Sequence, residues 1–293
     1  MSKKSNKYAG YQPGEVYDPT GVSQYLGLGR PIEFDDWTTR IAMLCTILAG
    51  VATLVWQGLQ GVASSDAAMS AVGAALGFLF AYMLALELDP DRKLGGIIGG
   101  GLTILAYNFL GEGNPFALLW LLFVLRMLNR SSGDRHRIAD NVIIIGAAAW
   151  LGNGGYWAYP LLTGAAYVLE SQVKAGYFRS LYLAGIAMAT LFFADYSVQA
   201  NLSIDFIILL SITFVVFLPE IRCANYVKAK GDKSGKRLIP SRLQATQGFF
   251  LLAVFSLIVL HGDSQALSML PAMAAATGVG AYLLVALVQH KVV

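Results

Sequence analysis

Four carboxylates and four cationic or amide side chains stand where apolar runs of this chain end. Glu87 and Asp91 lie in "LELDPDRK", Arg126, Asn129 and Arg130 in "LRMLNR", Glu170 in "YVLES", and Glu220 with Arg222 in "LPEIR". Residues 126, 129 and 130 are spaced i, i+3 and i+4, which puts all three on one face of a helix. Pro90 stops the helix before it and forces the preceding residue into an extended conformation. Ionisable groups at helix ends that point into a bundle are candidates for chemistry. In that reading Glu87, Asp91, Glu170 and Glu220 are the catalytic candidates, with Glu87 and Asp91 binding a metal or acting as base. Arg126, Asn129, Arg130 and Arg222 bind an anion. If the carboxylates converge, Mg²⁺ is the metal their hard oxygens suit, and the guanidinium groups match a phosphate. If they do not, the same residues are interhelical salt bridges and interfacial anchors.

These groups need elements to hold them, and the composition says what kind. Of 293 residues, 56% are hydrophobic and 13% charged, against about 25% charged in an ordinary soluble domain. A bilayer core of about 30 Å takes roughly 20 helical residues per crossing, and backbone groups without water must bond within their own helix. The sequence therefore predicts an all-α, polytopic transmembrane bundle. Helices are expected near 39–58, 67–88, 94–110, 115–129, 139–152, 156–171, 179–195, 203–220, 245–261 and 266–288, joined as short-looped hairpins. The segments 139–152 and 156–171 are short, so eight spans plus one re-entrant hairpin is the alternative. Residues 1–37, with Tyr8, Pro13, Gly14, Tyr17 and Pro19, read as a cytoplasmic tail that can carry a protein partner. Residues 38–293 read as one membrane domain.

Orientation follows from the cations. Alternate connections, "GVASSD", "GEGN", "GNGG", "DYSVQANLS" and "HGDSQ", hold no lysine or arginine, and all 21 basic residues fall on the other side. The positive-inside rule then places both termini in the cytoplasm and the protein in the cytoplasmic (inner) membrane. Five of the 18 carboxylates, Asp66, Glu112, Asp195, Asp205 and Asp263, lie outside, leaving 13 within against those 21 cations. Such an inner surface attracts anionic lipid headgroups; nothing in the pattern calls for nucleic acid.

Other motifs carry less. Cys45 and Cys223 are too far apart in depth to pair, and His136, His261 and His290 have no metal-ligand spacing. "GGIIGGG" at 95–101 and "GAALG" at 73–77 place glycines four apart, which lets helices approach closely and predicts that the second and third helices are neighbours. "GDKSGKR" at 231–237 lacks the spacing and hydroxyl of a nucleotide loop.

One family resemblance covers about a third of the chain. The segment "SLYLAGIAMATLFFADY…FVVFLPEIRCANYVKAKGDKSGKRLIP" resembles the later half of the intramembrane prenyltransferases, and "NRSSGDRHRIAD" is similar to their first Asn- and Asp-rich motif. The resemblance implies a diphosphate held through a metal by acidic residues. The family's leading acid in the second motif falls here on Ala224, Asn225 or Ala229, leaving Asp232 alone. Three further function classes stay open: an inner-edge site for a lipid or phosphate-bearing small molecule, a ten-helix permease, and a non-catalytic component that binds a partner.

Overall fold

The computed structural model describes residues 25–30, 34–196 and 201–289. Those residues form an all-α structure of ten helices: α1 Trp37–Leu59, α2 Ser64–Leu88, α3 Leu94–Leu110, α4 Pro115–Asn129, α5 Ile138–Asn153, α6 Ala158–Gln172, α7 Ser180–Ala189, α8 Ile204–Cys223, α9 Pro240–His261 and α10 Asp263–Val288. Short 3₁₀ turns extend α7 over Thr190–Phe193 and α8 over Ala224–Tyr226. Five helices, α1, α2, α8 (with its 3₁₀ extension), α9 and α10, are long and apolar enough to cross a membrane. The outward faces agree with that, since Leu44, Ile47, Val51, Phe192, Ile208 and Val215 are all exposed. A protein surrounded by water rarely presents so continuous an apolar surface.

Most boundaries fall within three residues of the expectation, but α9 starts at Pro240 instead of 245. Proline at the first helical position lacks only an N–H that would be unpaired anyway, and its fixed φ suits a helix start. The early start places Arg242 in the first turn of α9.

The helices alternate between two ends. At one end the last turns of α2, α4, α6 and α8 meet the connections that follow them. At the other, Asn114 donates its N–H to Ser268 Oγ (3.1 Å), Asp195 to the Gly152 carbonyl (3.0 Å), Ala158 to His261 Nε2 (3.3 Å) and Asp263 to the Asn201 carbonyl (2.9 Å). The α5–α6 hairpin begins at the first end, where Asp140 accepts from Gly27, and turns at the second, beside His261 and Asp195.

α4 is the central post. Its run "PFALLWLLFVL" is apolar all round, and residues from Ala117 to Asn129 are mostly buried among α2, α5, α6, α9 and α10. Fifteen residues span only about 22 Å at 1.5 Å per residue, so α4 suits an enclosed position better than a lipid-facing one. Its far end is pinned by Trp120, which donates Nε1–H to Thr163 Oγ1 at 2.8 Å.

Glycines set the closest approach. α3 presents Gly96 and Gly100 to Tyr82 and Phe78 of α2, the expected neighbour, and Gly95 and Gly99 to α10. A methyl group on Gly278 of α10 would come within 2.5 Å of the Gly95 carbonyl oxygen. Small side chains are what allow backbones so close without a hydrophobic driving force between helices in lipid.

Candidate functional site

The first end of the bundle gathers nearly all of the candidate residues, but as three ion-paired groups. The central group forms around Glu87, in the last turn of α2 and fully buried. Its Oε1 accepts from Arg30 Nη1 at 3.0 Å and from Arg126 Nε at 3.2 Å. One turn on from Arg126, Asn129 donates Nδ2–H to the Glu87 carbonyl at 3.2 Å. α4 thus sends both side chains of one helical face to the same residue. Arg30 reaches further: Nε and Nη2 grip both oxygens of Asp232, at 2.5 and 3.0 Å. A planar guanidinium matches two carboxylate oxygens in just this way. Burial works against the charge of Arg30, but Glu87 and Asp232 outweigh it and raise its pKa.

The second group is Glu170 at the end of α6, fully buried, with one oxygen accepting from Arg130 Nη2 at 2.5 Å and the other from Arg242. Arg242 also donates to the carbonyl oxygens of Lys174 (3.0 Å) and Met127 (3.3 Å). The third group joins Arg92 to Asp89 at 3.0 Å and to Glu220 at 3.6 Å. Burial pushes the Asp89 carboxyl up, with Arg92 pulling against it.

Asp91 stands beside these groups and accepts the backbone N–H of Lys228 and Ala229 at 2.8 and 2.7 Å. It holds the start of a hairpin-like turn, closed by the Lys230–Arg237 bridge, whose far side donates from Asp232 and Lys233 to the carbonyls of Ser131 and Ser132. Lys233 reaches on to the Gly27 carbonyl at 2.9 Å. Residues 25–30, expected in the tail, therefore belong to this end: Leu28 is fully buried, and Gly27 and Leu28 donate to Asp140.

The structure brings Glu87, Arg126 and Asn129 together, but Arg130, expected on one helical face with Arg126 and Asn129, is the left-handed cap that follows α4 (φ 53°) and turns to Glu170 instead. Glu220 pairs with Arg92, and Arg222, expected among the anion-binding residues, is exposed and apart from the groups. Arg30, Lys93, Asp232 and Arg242 were missed as site residues. Arg242 had a signal in the preceding Pro240; Arg30, in a polar stretch without periodicity, had none.

The condition for a Mg²⁺ site is not met. Among the described residues no three His, Cys, Asp or Glu side chains are placed to hold a metal; Asp89 and Glu220 share Arg92, Glu87 and Asp232 share Arg30, and Asp91 accepts two backbone N–H groups. Two arginines on Glu87 Oε1 tie that carboxylate into a buried ion pair, which is the structural role open to it here.

Two cavities adjoin the central group. One, of about 120 Å³, is a slot between α1 and α2 lined by Thr39, Met43, Leu79, Met83 and Leu86 along its length and by Arg30, Lys93 and Arg126 at its polar end. The other, of about 520 Å³, is polar and lies under the 228–238 turn, where Arg30, Lys93, Lys228 and Lys230 face Asp91, Asp232 and the buried Ser131. Arg30, Pro90 and Lys93 line both.

Comparison with known protein families, with curated proteins and with solved structures finds no match. The likeness to the intramembrane prenyltransferases thus stays confined to the segments that suggested it. In those segments Asp232 is engaged by Arg30, and Asn225 bonds Gln244 and the Arg222 carbonyl.

Proposed function

We propose that this protein is a ten-span, inner-membrane protein that recognises an anionic amphiphile at its cytoplasmic edge: a lipid-like molecule with a phosphate-class headgroup. The observation that carries the reading is that the two cavities adjoin, with Arg30, Pro90 and Lys93 in the walls of both. Part of an acyl or isoprenoid chain can lie along the apolar slot, whose Met43, Leu79, Met83 and Leu86 are only half buried and so border the surrounding lipid. The headgroup then falls in the polar cavity, lined by Arg30, Lys93, Lys228 and Lys230, of which Arg30 is also paired to Glu87 and Lys93 to Asp36 at 2.7 Å. Arg30 and Arg126 are preset by Glu87, so their cost of ordering is met before a ligand arrives.

Sidedness supports the placement. The cation-rich connections meet at the end that holds the cavities, and the cation-free ones meet at the opposite end, as the positive-inside rule requires of a cytoplasmic site. The α5–α6 hairpin runs between the same two ends, which favours ten crossings over a re-entrant pair. The cavities at the inner end, and not at mid-depth, favour a lipid-edge ligand over a permeant.

The test is lipid retention by native mass spectrometry. Phosphatidylglycerol is expected to be retained over phosphatidylcholine by the wild type, and Lys93→Glu and Met83→Trp are expected to abolish the preference by reversing the headgroup charge and filling the slot. An unchanged preference in both variants overturns the reading.

A further inference from the structure

A third cavity, of about 250 Å³, lies on the opposite face of the 228–238 turn and shares only Leu238 with the headgroup cavity described above. Its wall includes Arg130, Lys236, Arg237 and Arg242, with Leu238 and Ile239 between them. Four of these are cations, and among the described residues the carboxylate that answers them is Glu170, already shared between Arg130 and Arg242. The local balance is three positive charges in a partly enclosed space.

Two further features point at a ligand. Arg242 is 1% exposed, and its Nε, like that of Arg130, is buried without a hydrogen-bond acceptor in the protein. A buried charged donor left unsatisfied is expensive unless something completes it. Arg242 also sits in the first turn of α9, which holds no acidic residue and whose cap residue Ile239 offers no side-chain acceptor. A cation there opposes the positive end of the helix dipole, an arrangement an anion reverses from unfavourable to favourable. Apolar lining is confined to Leu238 and Ile239, so no tail slot accompanies it.

We infer that this cavity is a second anion site, selective for a phosphate dianion, formed where the "GDKSGKR" turn closes against the end of α4 and the start of α9. The dianion is held by the guanidinium groups of Arg130 and Arg242 from within and by Lys236 and Arg237 at the rim. It is independent of the amphiphile site, and the source of the phosphate is either a soluble phosphate ester or a lipid headgroup.

The experiment is thermal unfolding of the full chain in nanodiscs, in the Lys93→Glu background so that the first site does not contribute. In phosphatidylcholine discs, inorganic phosphate is expected to raise the unfolding midpoint beyond chloride at equal ionic strength. Lys236→Glu, at an exposed position, is expected to raise the phosphate concentration needed for half the effect at least tenfold, and Lys236→Arg to preserve it. A second arm replaces free phosphate with phosphatidate in the discs. A shift in that arm that Lys236→Glu removes assigns a lipid headgroup; a shift with free phosphate alone assigns a soluble ester. If phosphate and chloride act alike and phosphatidate adds nothing, or if Lys236→Glu responds as its parent does, the site does not exist. Failure of the amphiphile reading would show separately, as lipid preference indifferent to both Lys93→Glu and Met83→Trp.

Discussion

Arg242 in the first turn of α9 and Arg130 at the end of α4 hold opposite oxygens of one buried carboxylate, Glu170 of α6. Three helices are thereby tied at one point with a surplus of positive charge. Removing one partner of a buried ion pair costs about 3–5 kcal/mol because the remaining charge is left uncompensated. Glu170→Ala is expected to destabilise the protein by about that amount in denaturant unfolding in detergent. A loss below about 1 kcal/mol would mean that the two arginines find other acceptors.

Arg30 links Glu87 to Asp232 and so ties the 228–238 turn to the end of α2. Groups in one such network do not contribute additively, and coupling of about 0.5–3 kcal/mol is usual. A double-mutant cycle with Arg30→Met and Asp232→Asn is expected to fall in that range. Arg30→Met should also speed tryptic cleavage at Lys233 and Lys236 in inverted vesicles. Additive effects and an unchanged digest would leave the turn held by its backbone bonds to Ser131 and Ser132 alone.

His136, in the α4–α5 connection, is 7% exposed, hydrogen-bonded to Ser180 at 3.1 Å and flanked by Tyr167 and Tyr177. Burial, with Arg130, Arg242 and Arg135 nearby, lowers its pKa from 6.5 to about 4. The unfolded chain binds this proton first as pH falls, so stability is full above about 6.5 and declines down to about 4. At 1.36 kcal/mol per unit the loss is on the order of 3 kcal/mol. Unfolding measured across that window should show the decline in the wild type and a flatter profile in His136→Gln; parallel profiles refute the assignment.

Gly278 and Gly101 separate packing from intrinsic preference. A Cβ on Gly278 meets the α3 backbone, whereas one on Gly101 meets nothing within 4 Å. Gly278→Ala is expected to cost about 1–3 kcal/mol by overpacking. Gly101→Ala should be neutral or stabilise by up to about 1 kcal/mol, because alanine loses less backbone entropy in a helix. Equal effects in thermal unfolding would show that α3 and α10 are not in close contact.

Orientation can be read by labelling. With Cys45 and Cys223 replaced by serine, Arg135→Cys and Lys233→Cys should resist an impermeant maleimide applied to intact cells, and Ser65→Cys should react. Strong reaction at 135 or 233 inverts the topology.

Composition and spacing alone determined the helical membrane character and most of the helix ends, because a bilayer demands long apolar runs and leaves charges only where they stop. They also collected Glu87, Arg126, Asn129, Arg130 and Glu170 at one depth. Which carboxylate each arginine chose was decided by tertiary structure: Arg92 and not Arg222 meets Glu220, since residues two apart on a helix point to different faces. Arg30 and Arg242 became site residues through contacts 57, 202 and 72 positions away in sequence. Hydropathy is a local property of the chain and registers depth, whereas pairing depends on which helices share a neighbour, and that is settled only when the glycine faces and the central α4 pack.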